Sequence, residues 1–323
     1  MTVVHGKSPF PNSPYPMFKA ASLFLAAFVA LLAVPFSSEA QHRSTQWTEL
    51  VTNAEQGDPA AQYDLAEAYY DGRGVEKDYE QAANWYRKAA EQGEPRAQND
   101  LGWLCQKGLG VPQDHSRAVE WYRKSAEQGH PSGQTNLGFM YHHGLGIETD
   151  FTEALKWYRL AAEQGHPGGQ NNLASLYQNG LGVEQDYVEA VRWYRSAAEQ
   201  GHAPAQRNLG LMYERGQGVS QDRKEALEWY RKSAEQGYPL GQVKLGEMYA
   251  QGLGVPHDPQ EALKWYAKAA EQGLAEAQFE LATMYQTGTG CQKDIKEARK
   301  WYQEAADQEH EDAKERLKQI ESD

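Results

Sequence analysis

The sequence predicts an all-α solenoid of stacked helix-turn-helix units, on three observations. Tryptophan recurs at Trp85, Trp121, Trp157, Trp193, Trp229, Trp265 and Trp301, always 36 residues apart and each followed by tyrosine. The stretch 229–237, Trp-Tyr-Arg-Lys-Ser-Ala-Glu-Gln-Gly, returns in near copies ending at Gly93, Gly129, Gly165, Gly201 and Gly273. Strand-like alternation of period two is absent from the sequence, so the units read as helical. Seven returns without an insertion make the repeat the first feature to interpret. An array of this kind has neighbour-to-neighbour cores, which overrides the two-domain expectation for 323 residues.

In chain order, residues 1–40 read as a secretory signal. Residues 20–36 are apolar apart from Ser22, follow Lys19 and lead into Ser38-Glu39-Ala40. A basic start, an apolar run and a small-x-small site predict cleavage after Ala40 and a secreted or periplasmic protein. The Pro-rich stretch before Met17 is long for such a start, so Met17 is a second candidate initiator. The alternative is an uncleaved anchor, for which this apolar run is at the short limit. Residues 41–57, with Trp47 and Ala54-Glu55-Gln56-Gly57, resemble the second half of a unit and form an N-terminal cap.

Seven full units span 58–309, and 166–201 shows their logic. Pro167 opens the first helix, where its missing N–H matters least. Leu173, Leu176 and Tyr177 recur at i, i+3 and i+4, one apolar face. Gly180-Leu181-Gly182 ends the helix, glycine supplying the left-handed conformation. Asp186 with Glu189 forms a capping box for the second helix, the Asp taking a backbone N–H and the Glu reaching back. Arg117 replaces the glutamate after Asp114, which predicts a weaker start there. Ala190, Trp193, Tyr194, Ala197 and Ala198 form the buried face. Residues 310–323 keep Ala313 and Leu317 amid charge and form a C-terminal capping helix.

Ala205-Gln206, Leu209-Gly210, Tyr213, Gly216-x-Gly218-Val219, Asp222, Ala226, Trp229-Tyr230 and Ala234-Glu235-Gln236-Gly237 resemble the Sel-1-like repeat, a relative of the tetratricopeptide repeat. The resemblance covers 58–309. It implies a right-handed superhelix whose first helices line a concave groove, and a role in protein–protein contact as scaffold or adaptor.

The residues delineate the same groove. In the first helix, unit positions 4, 5, 8, 9, 11 and 12 are shared, while 3, 6, 10, 13 and 14 vary and lie on another stripe. Position 6 carries Tyr63, Asn99, Asn171 and Arg207, position 10 carries Trp103, Phe139 and Leu211, and position 13 carries His142 and Glu214. These nine are the candidate partner-binding residues, with Trp103 and Phe139 as aromatic anchors. Asn136, Asn172 and Asn208 form a ladder at position 7 whose regularity favours a structural bond between units over backbone recognition of a peptide.

Other chemistries fit poorly. A net charge of −13 repels phosphate backbones, which argues against nucleic acid. Cys105 and Cys291 are five repeats apart, too far to bridge, and Cys105 reads as a packing residue. Gly-x-Gly turns such as Gly72-Arg73-Gly74 follow no strand and lack the longer phosphate-binding pattern. His130, His166 and His202 recur one per unit and cannot converge on a metal, while adjacent His142 and His143 splay apart; both sets read as exposed. No cofactor or metal is implied. The expectation is an exported, non-catalytic scaffold that holds a partner peptide or helix in its groove. The alternative is a secreted β-lactamase-like or cell-wall-acting hydrolase, a branch associated with related repeats but typically cysteine-rich. Ser-x-x-Lys and Gly-x-Ser-x-Gly are both absent.

Overall fold

A computed structural model describes residues 38–322, with side chains over 46–320. Met17 and the apolar segment 20–36 lie outside these residues. The chain divides into two units, 1–49 and 50–323; the second contains the repeat array. Among the described residues all regular structure is helical, and no helix is long and apolar enough to cross a membrane.

Helix α1 (Ser38–Glu55) is followed by seven hairpins: α2–α3 (Pro59–Asp71, Tyr79–Glu91), α4–α5 (Pro95–Lys107, His115–Glu127), α6–α7 (Pro131–His143, Phe151–Glu163), α8–α9 (Pro167–Asn179, Tyr187–Glu199), α10–α11 (Ala203–Arg215, Arg223–Glu235), α12–α13 (Pro239–Gln251, Pro259–Glu271) and α14–α15 (Ala275–Thr287, Ile295–Asp307). Helix α16 (Glu311–Ser322) closes the array. Each hairpin packs its two helices together, and each second helix packs on the first helix that follows it. Successive first helices also touch, α4 on α6, α6 on α8 and α10 on α12, more closely than successive second helices do. The first helices therefore form the inner, concave layer of the solenoid.

The hairpin geometry follows from the turns. In the fourth unit, the Asp186 N–H donates to Tyr177 O at 2.9 Å, while Asp186 Oδ1 accepts from Val188 N and Glu189 N at 2.9 and 3.0 Å. The cap residue's own N–H is thus already satisfied by the first helix. Glu189 has nothing to reach back for and pairs with Arg192 at 2.7 Å instead. The expected capping box is half formed: the Asp works as a cap and the Glu does not. Asp114 accepts from one N–H, that of Arg117, rather than two. Gly182, at φ +68°, lies so close to the preceding unit that a Cβ would sit 2.4 Å from Phe151 O. That position tolerates no side chain, and the contact sets the spacing of adjacent hairpins.

The core corrects one expectation. Tyrosine, not tryptophan, is the deepest large side chain of each second helix: Tyr86, Tyr122, Tyr158, Tyr194 and Tyr230 are at most 1% exposed. Trp193 and its counterparts are half-buried. Their rings carry a cation, Arg192 over Trp193 at 4.3 Å and Lys232 over Trp229 at 4.0 Å. The physical reason is the shape of the partner surface. Only a small residue stands opposite the tyrosine: at Gly210 a Cβ would lie 2.6 Å from the Tyr230 ring, and buried Ala174 takes the same unit position against Tyr194. The buried hydroxyls find partners on the first helix: Tyr122 donates to Gln106 and Tyr194 to Gln178, each at 2.7 Å. Cys105 is buried and packs within the core of the first units. At the far end Ala313, Leu317 and Ile320 form the one apolar stripe of α16, with Glu311, Asp312 and Glu315 facing water.

Replacing Tyr194 by Ala is expected to cost about 3–5 kcal/mol, and Trp193→Ala about 1–3 kcal/mol because half of that ring remains in water. Urea unfolding midpoints check the order; an equal or larger loss for Trp193→Ala would contradict the tyrosine-centred core.

Candidate functional site

On the inner face a cavity of about 400 Å³ opens across the first three units, lined chiefly by Glu67, Asn99, Asp100, Trp103, Thr135 and His166, with Tyr70, Tyr86, Ser132 and Asn136 completing it. Its geometry begins with the backbone. Pro95 and Pro131 start α4 and α6 one unit apart, so side chains at matching positions line up across the layer. Trp103 projects from the middle of α4, 37% exposed, with Lys107 Nζ 4.7 Å from its ring centre. Asn99 is 8% exposed and ties the floor together, accepting from Asn136 Nδ2 at 2.8 Å and donating to Asp100 Oδ1 at 2.9 Å. Glu67 accepts the hydroxyl proton of Tyr86, and its carboxylate lies 3.3 Å from Arg73. Burial pushes the Asp100 carboxyl up to about 6, against hydrogen bonds from Asn99 and Tyr63 that favour its charged form, with the charges of Glu67 and Glu94 adding to the rise.

Of the nine residues singled out from sequence, Asn99 and Trp103 meet in this cavity. Tyr63 lies beside it, half-buried, its ring tilted against Tyr86 at 5.7 Å and covered by Arg96 at 4.2 Å. The others are elsewhere. Phe139 turns its ring to His143, 4.2 Å between centres, and packs into the core. His142 stacks on His143 at 4.5 Å rather than splaying from it, held edge-on to Phe151 at 5.5 Å. Asn171 accepts from Asn208 at 3.0 Å, and Arg207 donates to the same Asn208 at 3.1 Å. Two of the position-7 asparagines, Asn136 and Asn208, thus bond to the preceding unit, while Asn172 accepts from its neighbour Asn171 at 3.1 Å. Leu211 is 7% exposed and sits in the core around Tyr230, so no partner reaches it. Glu214 accepts from the Tyr230 hydroxyl at 2.5 Å. Position 13 mainly tethers buried tyrosines, a role that its variability concealed.

The histidine column is also corrected. His130, His166 and His202 are half-buried helix caps, each Nδ1 accepting from the N–H three residues on, at 3.4, 3.2 and 3.3 Å. Burial holds all three below the ordinary histidine range. In the cavity His166 Nε2 lies 3.5 Å from Ser132 Oγ, superficially a nucleophile with its base. Nδ1 is engaged by Gly169 N at 3.2 Å and by Thr135 Oγ1 at 3.0 Å rather than by a carboxylate, so the pair lacks the third group that orients a catalytic histidine as a base.

Several lining residues were legible but passed over. Glu67 and Thr135 occupy the variable stripe, and Asp100 is one of the places where the position-7 asparagine pattern breaks. His166 carried no signal, because it enters from the following unit.

Comparison with known proteins accords with this architecture. A family model described as Sel1 repeat matches seven times, at residues 59–94, 95–130, 131–166, 167–202, 203–238, 239–274 and 275–310. Among solved structures, a protective antigen present in uropathogenic Escherichia coli strains, displaying an SLR fold, is 43% identical over 84% of this chain with a TM-score of 0.66. The chain spans 58% of that antigen's length. A Sel1 repeat protein from Oxalobacter formigenes is 36% identical, covering 84% of this chain and 78% of its own, also with a TM-score of 0.66. No curated protein matches the chain.

The Asp100 carboxyl gives a signed pH dependence. Its folded value lies above the ordinary aspartate value of about 3.9, so the stability it contributes is full below that pH and lost as pH rises through about 6. Asp100→Asn is expected to raise the urea midpoint at neutral pH and leave it unchanged near pH ~4. A midpoint gain of equal size at both pH values would contradict the burial of this carboxylate.

Proposed function

The chain belongs to the Sel1 repeat family, and from that premise we propose that it is an exported, non-catalytic scaffold whose protein partner docks on the inner face of the first helices. Sel1 repeat proteins generally act as protein-interaction scaffolds. The observation that carries the finer reading is the cavity across units one to three, where Trp103 stands exposed among polar side chains. A large aromatic held in solvent by a rigid helix is the kind of group that anchors an interface. Units one to three and His166 of the fourth contribute to one pocket, so a partner bound there senses the register of the stack as well as its surface. The surroundings of His166 favour binding over hydrolysis, since Nδ1 of the histidine that meets Ser132 is held by Gly169 N and Thr135 Oγ1 and not by a carboxylate. Export rests on the basic, apolar and small-residue pattern of residues 1–40.

A photo-crosslinking residue placed at Ser132 in the cavity should form an adduct with a defined partner in the native cells, and one at exposed Glu91 on α3 should not. Adducts at Glu91 alone would move the interface to the outer layer. N-terminal sequencing of the protein from the same cells should begin at Gln41; a start upstream of it would refute cleavage after Ala40.

A further inference from the structure

The cavity is unequal in charge. Glu67 and Asp100 bring two carboxylates to it, and no lysine or arginine lines it. Glu67 is already engaged by the Tyr86 hydroxyl and by Arg73. Asp100 receives only neutral donors, Asn99 Nδ2 at 2.9 Å and the Tyr63 hydroxyl. A carboxylate drawn partly out of water beside a second one is costly unless a cation answers it. The fold does not require the charge: the equivalent position is asparagine in units three, four and five, at Asn136, Asn172 and Asn208. Asparagine there makes the same kind of inter-unit bond without the penalty. Asp64, Lys244 and Glu280 also replace asparagine at this position, and of the four charged residues Asp100 is the one that lines the cavity.

The aromatic wall adds a second, independent feature. The Trp103 ring already carries one cation, Lys107 Nζ at 4.7 Å, and ring quadrupoles attract ammonium and guanidinium groups alike. Acidity also recurs along the inner layer. Glu247 on α12 and Glu280 on α14 are each pushed up by burial and by the charge of Glu276, and Glu247 adds to the rise at Glu280. With the net charge of −13, the inner face is suited to a positively charged chain.

The geometry points to a pocket for a cationic side chain: a lysine or arginine on an extended basic segment of the partner protein, entering between the first helices of units one to three. Its charge meets Asp100 and its methylene stem lies along Trp103. This rests on the reading that the inner face binds a protein. A bound divalent metal is the poorer fit. Hard cations need six or more oxygens, and among the described residues no group of three or more His, Cys, Asp or Glu converges.

The test is fluorescence anisotropy of the full chain with a labelled Gly-Arg repeat peptide and a Gly-Glu control, at physiological ionic strength where surface attraction is screened. The Gly-Arg peptide should bind saturably and the Gly-Glu peptide should not. Asp100→Asn should weaken binding by about tenfold or more, as loss of one member of a desolvated charge pair does. Trp103→Ala should weaken it as well, with Trp103→Phe retaining part of the affinity. Glu91→Gln with Glu127→Gln, which removes two exposed charges outside the cavity, should leave affinity unchanged. Equal weakening by that outer pair would show diffuse attraction and overturn the pocket. If the peptide fails to bind while the crosslinker at Ser132 still captures a partner, the cationic pocket is refuted and the groove survives. If both fail, the groove reading falls with it.

Discussion

A buried glutamine between each pair of units is the constraint on which the rest of this structure depends. Gln206 is 4% exposed. Its Nε2 donates to Ala198 O of the preceding unit at 3.0 Å, and its Oε1 accepts from Gln236 Nε2, across its own hairpin, at 2.7 Å. Equivalent bonds run from Gln62, Gln98, Gln134, Gln170, Gln242 and Gln278. A primary amide taken out of water without partners costs several kcal/mol, so each glutamine fits only where both neighbours stand in register. Apolar contacts between helices tolerate sliding; this amide does not. The last turn of α1 supplies the same carbonyl, from Ala54, to the first unit.

Fixed register makes the inner face a functional surface. Because the register of successive first helices is fixed, side chains at positions 6, 7 and 10 of neighbouring units come side by side. Asparagine at position 7 bonds to the position-6 asparagine of the preceding unit, as Asn136 does to Asn99 and Asn208 to Asn171. Leucine at position 10 sinks into the core, as Leu211 does, and Phe139 packs half-buried against it. The cavity of units one to three lies where Glu67, Asp100 and Trp103 take neither course. Structural bonds and candidate recognition residues are thus drawn from the same positions, separated by one or two substitutions.

This arrangement also explains where stability is given up. The repeats are locally consistent, with glycine turns, aspartate caps, alanine contacts and tethered tyrosines all agreeing. Half-buried carboxylates at Asp100, Glu247 and Glu280 break that agreement and weaken the array as they ionise. An array whose units support one another can carry a few such sites, because its stability is a sum over many interfaces.

The fold was legible in the sequence because its signals are local and repeated seven times: the 36-residue period, the proline and aspartate helix starts, and the glycine stops all lie within one unit. The inner stripe was legible too, as the set of first-helix positions where units disagree. Tertiary structure alone decided which members of that stripe face outward. Sequence periodicity specifies a direction around one helix, whereas exposure depends on what the adjacent hairpin places opposite. Hence Trp103 stands in solvent while Leu211, at the same unit position, is buried against Tyr230. Hence tyrosine rather than the more insistent tryptophan fills the core, since the small residue opposite it, Gly210 against Tyr230 and Ala174 against Tyr194, comes from the other helix of the hairpin. The histidine caps and the glutamine ladder were hidden for the same reason: their partners lie on other elements, and a one-dimensional pattern records a residue's recurrence but not what it touches.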